Sequence, residues 1–276
     1  MQDPKSILLH LDGTAASAVR AQVADRVAQT FDAHVTALYC TTPALMRYPC
    51  SLDSVATVVA DLQRLDDVRK AEARKRFDEV CGTPTRLTWE ESDAPWNFGR
   101  RGLCSDLLIL GRQWTRQEHA DNPGGDDVPF DFVPNVLISS GRPALVLPLQ
   151  SASDPTGGTV LVAWKTSRES ARAVAAAMPW LRRARSVHVV CHDIDSLTDL
   201  PLLRKQLAAQ GVEASFHEGG SSGREAGELL LSRASDLAAD LLVMGCYGHS
   251  RSFEWALGGA TRTIVHSAPI PVLMVH

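Results

Sequence analysis

Short apolar runs alternate with longer amphipathic segments along the whole chain. In the first half this pattern predicts strands near 5–11, 34–39, 84–89, 106–110 and 143–147, with helices near 15–31, 53–80 and 94–103. In the second half it predicts strands near 160–164, 186–191, 212–217, 240–244 and 271–275, with helices near 168–178, 199–210, 223–238 and 254–266. Because consecutive parallel strands need a covering helix, the alternation predicts an α/β fold built from parallel βαβ units.

The two halves repeat one order of elements. Asp106 to Gly111 reads Asp-Leu-Leu-Ile-Leu-Gly, and Asp240 to Gly245 reads Asp-Leu-Leu-Val-Met-Gly. Each is followed by a closing strand led by proline, which a sheet tolerates at the first position of an edge strand. The polar stretch 150–158 between the halves indicates a linker. We therefore predict two tandem doubly wound domains of five parallel strands each (a Rossmann-like fold), at residues 1–150 and 151–276.

Charge and composition exclude several classes of partner. The chain carries 28 Lys+Arg against 32 Asp+Glu, so it lacks the basic surface typical of nucleic-acid binding. It has no apolar run long enough to span a membrane, and its first residues do not resemble a signal peptide, so we expect a cytoplasmic protein. The six cysteines form no Cys-x-x-Cys pair and are expected to be reduced thiols.

Glycines cluster where a ligand would bind. In an open parallel sheet, ligands bind beyond the carboxyl ends of the strands, where the strand order reverses. Gly245 and Gly248 follow the fourth strand of the second half and allow close approach of a backbone to a phosphate, and the alternative interpretation is that they are turn glycines. At the start of the last helix, free N–H groups and one hydroxyl are suited to an anion, and they belong to Gly258, Gly259, Ala260 and Thr261.

One run of the second half resembles the nucleotide loop of the universal stress protein family: it reads Gly-x-x-Gly, nine further residues and then Gly-Gly-Ala-Thr. The run 245–276 is similar to the tandem two-domain bacterial members, and the likeness extends more weakly into the first half. This resemblance implies ATP or a related adenine nucleotide as ligand, with Mg²⁺ on its phosphates, and no efficient catalysis. It implies that Lys165, Val190 and Cys191 line the base or ribose side. It also implies that strands 143–147 and 271–275 pair within the chain as an internal pseudo-dimer, and whether two chains form a homodimer stays open.

The chain departs from the family pattern in both halves. The Asp that contacts adenine is present as Asp12 in the first half, where it is equally interpretable as a helix cap, but Lys165 replaces it in the second. Lys165 is interpretable as a phosphate contact or as a solvated residue at the rim. The expected hydroxyl after the third loop glycine is replaced by Gly259, which leaves Thr261. The first half keeps Gly111 but continues with Arg112-Gln113-Trp114 and a polar stretch, 117–129, that contains three carboxylates expected to repel phosphate, Asp121, Asp126 and Asp127. We therefore predict a degenerate site in the first half.

Three functions stay open. The favoured hypothesis is a stress-response protein that senses or buffers an adenine nucleotide. The second hypothesis is a scaffold that binds no nucleotide, or a carrier of another small polar metabolite. The third is an enzyme, although the sequence shows no P-loop, nucleophile elbow or zinc helix. No metal site is predicted, because Cys246, His249 and His192 lack the spacing of metal ligands.

Overall fold

The computed structural model describes residues 2–48, 55–81, 86–92, 94–112, 118, 127–150, 154–191, 194–219, 224–248 and 259–276. The elements of the first half are β1 (Ser6–Leu11), α1 (Ala16–Phe31), β2 (His34–Cys40), α2 (Ala44–Arg47), α3 (Val55–Val80), β3 (Leu87–Ser92), α4 (Asn97–Gly102), β4 (Leu107–Gly111), α5 (Phe132–Ser140) and β5 (Ala144–Leu147). Those of the second half are β6 (Thr159–Trp164), α6 (Arg168–Leu181), β7 (Ser186–Cys191), α7 (Ile194–Ala209), β8 (Ser215–Glu218), α8 (Arg224–Asp236), β9 (Leu241–Gly245), α9 (Gly259–Ser267) and β10 (Val272–Val275).

All ten strands form one sheet, in the order β3-β2-β1-β4-β5-β10-β9-β6-β7-β8. Neighbours within each half are parallel, and β5 and β10 pair antiparallel at the centre, with Leu145 opposite Leu273. This confirms the predicted α/β fold. The proline-led closing strands β5 and β10 each lie at the edge of their own half and pair with each other, as expected, so they stand side by side in the middle of the complete sheet. The edge strands are β3 and β8.

Helices cover both faces of the sheet. On one face, α1 and α6 bury a core that runs through both halves, and the rings of Phe31 and Trp180 meet there with their centroids 4.7 Å apart. The other face packs against α5, α8 and α9. Because both faces are covered, the central strands are mostly apolar, and every residue of β6 is buried. None of the described helices combines the length and apolar composition needed to span a membrane.

The repeated Asp of the two halves has a repeated structural role. The Asp106 carboxylate accepts a hydrogen bond from the backbone N–H of Ser6 at 3.0 Å, at the start of β1. The Asp240 carboxylate accepts one from the N–H of Thr159 at 2.8 Å, at the start of β6. Each Asp therefore fixes the register between the first and fourth strands of its half.

Several predicted boundaries are wrong. The strand predicted at 84–89 begins at Leu87, and the one predicted at 212–217 begins at Ser215. The helix predicted at 94–103 spans only Asn97–Gly102, and the one predicted to begin at 199 begins at Ile194. Neither α2 nor α5 was expected. The helix α5 forms despite Pro134, because an N–H in the first turn of a helix has no partner within that helix.

The helix α6 continues past its predicted end at residue 178. It runs through Pro179 to Leu181, because Trp180 and Leu181 are buried in the core. Tertiary packing therefore outweighs the local penalty of a proline in this helix.

Candidate functional site

The strand order reverses between β6 and β9, which opens a crevice at their carboxyl ends. Gly245 ends β9, and Gly248 lies three residues further on in an exposed position. Because β10 is parallel to β9, the intervening helix α9 begins on this same side of the sheet, with Gly259, Ala260 and Thr261 in its first turn. Gly258, with the rest of 249–258, lies outside the described residues.

Gly245 and Gly248 both face the first turn of α6. A Cβ on Gly245 would lie 2.5 Å from the carbonyl carbon of Glu169 and 2.5 Å from the nitrogen of Ser170, so only glycine lets the end of β9 pack here. A Cβ on Gly248 would lie 2.7 Å from Oε2 of Glu169. The close approach that these glycines allow is therefore, in this structure, an approach to the chain itself.

Glu169 is a site residue that sequence reasoning missed. It is only 6% exposed, and its carboxylate lies beside the loop that was predicted to hold phosphate. The local sequence contains one signal for it. Ser167 caps α6 by accepting a hydrogen bond from the N–H of Ser170 at 3.1 Å, and an acidic residue is favoured in the first turn of a helix capped in this way.

The loop after β9 is strained at Tyr247. This residue has φ of 58°, in the left-handed region that side chains other than glycine rarely adopt. Burial raises the pKa of its hydroxyl well above the ordinary value. Burial and the negative charge of Glu169 also raise the pKa of the Cys246 thiol well above its usual range, so this thiol stays protonated at neutral pH.

The first turn of α9 is held firmly against α8. A Cβ on Gly227 would lie 2.7 Å from Cβ of Thr263 and 3.2 Å from Cα of Ala260, so the two helices approach closely at this glycine. The Thr263 hydroxyl donates to the carbonyl of Gly259 at 3.1 Å. Thr261 is 5% exposed, so its side chain presents little surface to solvent.

The residues predicted to line the base side are placed differently. Lys165 follows β6, and its backbone N–H donates to the Ser170 hydroxyl at 3.4 Å. Cys191 is buried in the core, and its carbonyl accepts a hydrogen bond from Gly219 at 2.6 Å. Val190 is 3% exposed, and it borders a cavity of about 120 Å³ between β8 and α8. The side chains of Val190 and Cys191 point to opposite faces of the sheet, so they do not line one pocket together.

In the first half, a buried ion pair lies in the corresponding crevice. Arg20 is 2% exposed and donates to the Asp12 carboxylate at 2.7 Å, to the Ser17 hydroxyl at 2.7 Å and to the His10 carbonyl at 3.0 Å. Asp12 also accepts from the N–H of Thr14 at 2.8 Å. Burial alone would raise the pKa of Asp12, but the guanidinium beside it holds that pKa well below its usual range.

Gly111 makes room for this guanidinium. A Cβ on Gly111 would lie 2.6 Å from Nη1 of Arg20. The next residue, Arg112, reaches into the second half and donates to the carbonyl of His266 at 2.7 Å, near the carboxyl end of α9. Gln113 and Trp114 lie outside the described residues.

Asp127 is placed otherwise than expected. We predicted a carboxylate that repels phosphate from a polar loop, but Asp127 is 2% exposed and accepts from the Gly13 N–H at 2.7 Å. It also pairs with Arg69 at 2.5 Å and with Arg47 at 3.3 Å. Burial, together with the charge of Asp12, raises the pKa of Asp127 to about 6. Asp121 and Asp126 lie outside the described residues.

Among the residues that the structure describes, no group of three or more His, Cys, Asp or Glu side chains is placed to hold a metal ion. His192 and His249 are not among them. The buried His10 has its pKa lowered to about 4 by burial, and it packs between the rings of Phe98 and Phe132. It is therefore neutral at physiological pH.

Comparison with known proteins finds a family model that matches the second half of the chain. Residues 158–276 match the model of the universal stress protein family. A universal stress protein from Archaeoglobus fulgidus DSM 4304 has a similar structure, with a TM-score of 0.72 and 15% identity, over 99% of this chain and 96% of that one. A protein from Pseudomonas aeruginosa UCBPP-PA14, described as a candidate universal stress protein, gives a TM-score of 0.56 and 17% identity, over 99% and 93%. No curated protein matches the chain.

Proposed function

Since residues 158–276 belong to the universal stress protein family and nearly the whole chain shares that family's fold, we propose that the chain binds an adenine nucleotide in its second half. It would act as a sensor or buffer of ATP or a close relative, and not as a catalyst. The observation that supports the proposal is that Gly245 and Gly248 follow β9, and α9 begins, at the rim of the sheet where the strand order reverses.

The backbone would provide most of the phosphate contacts. The free N–H groups at the start of α9 and the helix dipole attract an anion, and the packing of Gly227 against Thr263 holds these groups in place. Gly248 is exposed, so a ligand in solvent can reach its backbone. Lys165, after β6, lies at the same edge of the sheet and would contribute a positive charge.

Glu169 would limit the affinity. Two unit charges 4 Å apart interact by about 1–4 kcal/mol at effective dielectric constants between those of water and a protein surface. A phosphate beside Gly248 would be repelled by the Glu169 carboxylate within this range. Mg²⁺, which binds carboxylates together with phosphate oxygens, would relieve the repulsion, so we expect binding to depend on Mg²⁺.

The side chains near the loop after β9 are poorly suited to catalysis. The Cys246 thiol is buried and protonated, so it is a poor nucleophile. Glu169 faces glycines of the loop and would bind or repel charge there. The family match is likewise to a family named for stress response and not for a reaction.

We also propose that the chain is organised as two domains, 1–150 and 151–276, joined as an internal pseudo-dimer. The antiparallel pairing of β5 with β10 supports this, because it relates two halves that each have the strand order 3-2-1-4-5. The first domain would then serve as the structural counterpart of the second.

Equilibrium titration with ATP and Mg²⁺ tests the proposal. Thr261→Val removes the hydroxyl at nearly constant volume, and Gly248→Ala places a methyl group against Glu169. Both variants should bind ATP at least tenfold more weakly than the wild type. Gly157→Ala is the matched control, because a Cβ on Gly157 meets nothing within 4 Å. Without Mg²⁺, Glu169→Gln should bind ATP more tightly than the wild type, because the repelling carboxylate is gone. No ATP binding by any of these proteins, with or without Mg²⁺, would refute the proposal.

A scaffold that binds no nucleotide is the second candidate. It is favoured by the contacts that Gly245 and Gly248 make with Glu169, because these contacts use space that a ligand would need. Thermal denaturation distinguishes the two. A ligand at a hundred times its Kd stabilises the folded state by about 2.7 kcal/mol. An unchanged melting temperature at millimolar ATP would therefore favour the scaffold.

A further inference from the structure

The second candidate site lies in the first half, around Asp127, and is independent of the nucleotide proposed for the second half. Asp127 follows β4 and precedes α5, and Gly13 follows β1, so both lie in the crevice at the carboxyl ends of these strands. We propose that Arg47, Arg69 and the Gly13 amide form a binding site for an oxyanion, the phosphate or carboxylate group of a ligand, and that the chain's own Asp127 occupies it.

The donors around Asp127 form a built anion site. The carboxylate is 3% exposed, and one oxygen accepts from the Gly13 N–H at 2.7 Å while the other meets Nη2 of Arg69 at 2.5 Å and Nη1 of Arg47 at 3.3 Å. The side chains of Arg47 and Arg69 are 8% and 18% exposed. Two guanidinium groups and a backbone amide that converge in a buried position are the donors that proteins use for phosphate and carboxylate groups.

Asp127 does not saturate these donors. Nε of Arg47 is buried and has no hydrogen-bond partner among the described residues, and the same holds for the hydroxyl of Thr42. Thr42 lies directly beside the occupant, because its N–H donates to the Asp127 carbonyl at 2.6 Å. Buried donors without partners are costly, so an anion with more oxygens than a carboxylate, such as phosphate, would be better matched to the site.

Gly13 leaves room for the present occupant. A Cβ on this residue would lie 2.9 Å from Oδ2 of Asp127. The close approach of a charged oxygen to the chain after β1 is thus built into the site. In this structure the oxygen is supplied from a position 114 residues further along the chain.

The site has charge and space for an external ligand. Arg47 also donates to the Asp66 carboxylate at 3.3 Å, so part of its charge would stay balanced if Asp127 were displaced. Asp66 also borders a cavity of about 260 Å³, whose lining includes two further carboxylates, Asp67 and Glu91, and one cation, Lys70. Because this lining carries more negative than positive charge, the cavity would suit a neutral or cationic part of a ligand whose anionic group displaced Asp127.

Calorimetric titration with inorganic phosphate tests the proposal. Asp127→Ala vacates the site and should bind phosphate at least tenfold more tightly than the wild type, and adding Arg69→Met should abolish that gain. Asp78→Ala removes an exposed carboxylate of α3 and the same net charge, so it should leave phosphate binding unchanged. Because wild type and variant share the second half, a difference between them reports on the first half alone.

If Asp127→Ala does not fold alone, anion rescue gives the answer. Phosphate, or acetate for a site that prefers carboxylates, should restore the folded state and raise the melting temperature at constant ionic strength, whereas chloride should not. A folded Asp127→Ala that binds phosphate no better than wild type or than Asp78→Ala would overturn the proposal. An unfolded variant that neither phosphate nor acetate rescues would overturn it as well.

Discussion

Replacing Arg20 by methionine should strongly lower the free energy of unfolding of the first half. Arg20 is 2% exposed, and its Nη2 lies 2.7 Å from the Asp12 carboxylate, which is 9% exposed. Methionine fills much of the same volume but leaves Asp12 as a buried charge without its counter-ion. It also removes the hydrogen bond to the His10 carbonyl.

The expected loss is large for one side chain. Breaking a buried ion pair by removing one partner destabilises a protein by about 3–5 kcal/mol. At roughly 2–4 °C per kcal/mol for a chain near this size, the melting temperature should fall by roughly 6–20 °C. The control is Arg64→Met, which breaks an exposed pair with Asp61, where the side chains are 78% and 62% exposed. Such pairs contribute less than about 1 kcal/mol.

The pH dependence gives a sharper test. In the wild type the pKa of Asp12 is depressed, so its stabilising contribution is present at neutral pH and is lost only as the pH falls through that low value. In Arg20→Met, burial no longer has a guanidinium to oppose it and should raise this pKa. The stability difference between wild type and variant should therefore shrink as the pH is lowered from 7 to 4.

Urea denaturation at several pH values measures this difference. Asp12→Asn combined with Arg20→Met should recover part of the lost stability, because no buried charge then remains unpaired. If Arg20→Met loses no more stability than Arg64→Met, or if the difference does not change with pH, the reasoning from a buried ion pair is wrong.

Three other predictions concern single residues. The pKa of Asp127 is raised from 3.8 to about 6, so its contribution to stability is full below pH 4 and is lost as the pH rises through 6. Asp127→Asn should flatten this slope in denaturation curves, and an unchanged slope would contradict the assignment. Gly245→Ala should cost about 1–3 kcal/mol in urea denaturation, because its Cβ would meet the backbone of α6 at 2.5 Å. Gly157→Ala should cost less than about 0.5 kcal/mol, and equal losses would exclude the close approach. The exposed Cys104 should react with a disulfide reagent much faster than the buried Cys246, so Cys104→Ser should remove one fast equivalent. A fast phase of unchanged size would refute this.

The sequence predicted the central strands well and the edge strands poorly. Strands such as β6 are buried on both faces and read as continuous apolar runs. The two strands that began later than predicted, β3 and β8, are the edges of the sheet, and most of their residues are half-buried or exposed. Their pattern of apolar and polar residues is weaker, so the sequence alone does not define where each of these strands begins or how it pairs with its neighbour.

Buried charges could not be predicted in this way. The pattern assigns Arg20, Asp127 and Glu169 to the surface, because charged side chains are rarely buried without a partner. Their partners are set by the fold, as with Asp127 and Gly13, which are 114 residues apart. The glycines of the second half were found from spacing alone, but what they contact was not, since Glu169 comes from another helix.

The antiparallel pairing of β5 with β10 also determines where the crevices of the two halves lie relative to each other. Strands of the first half run opposite to those of the second, so the carboxyl ends of the two sets face opposite rims of one continuous sheet. No single small molecule can reach both rims at once. Any communication between an anion held at Arg69 and a nucleotide held at Gly248 would have to pass through the sheet and the core that both halves share.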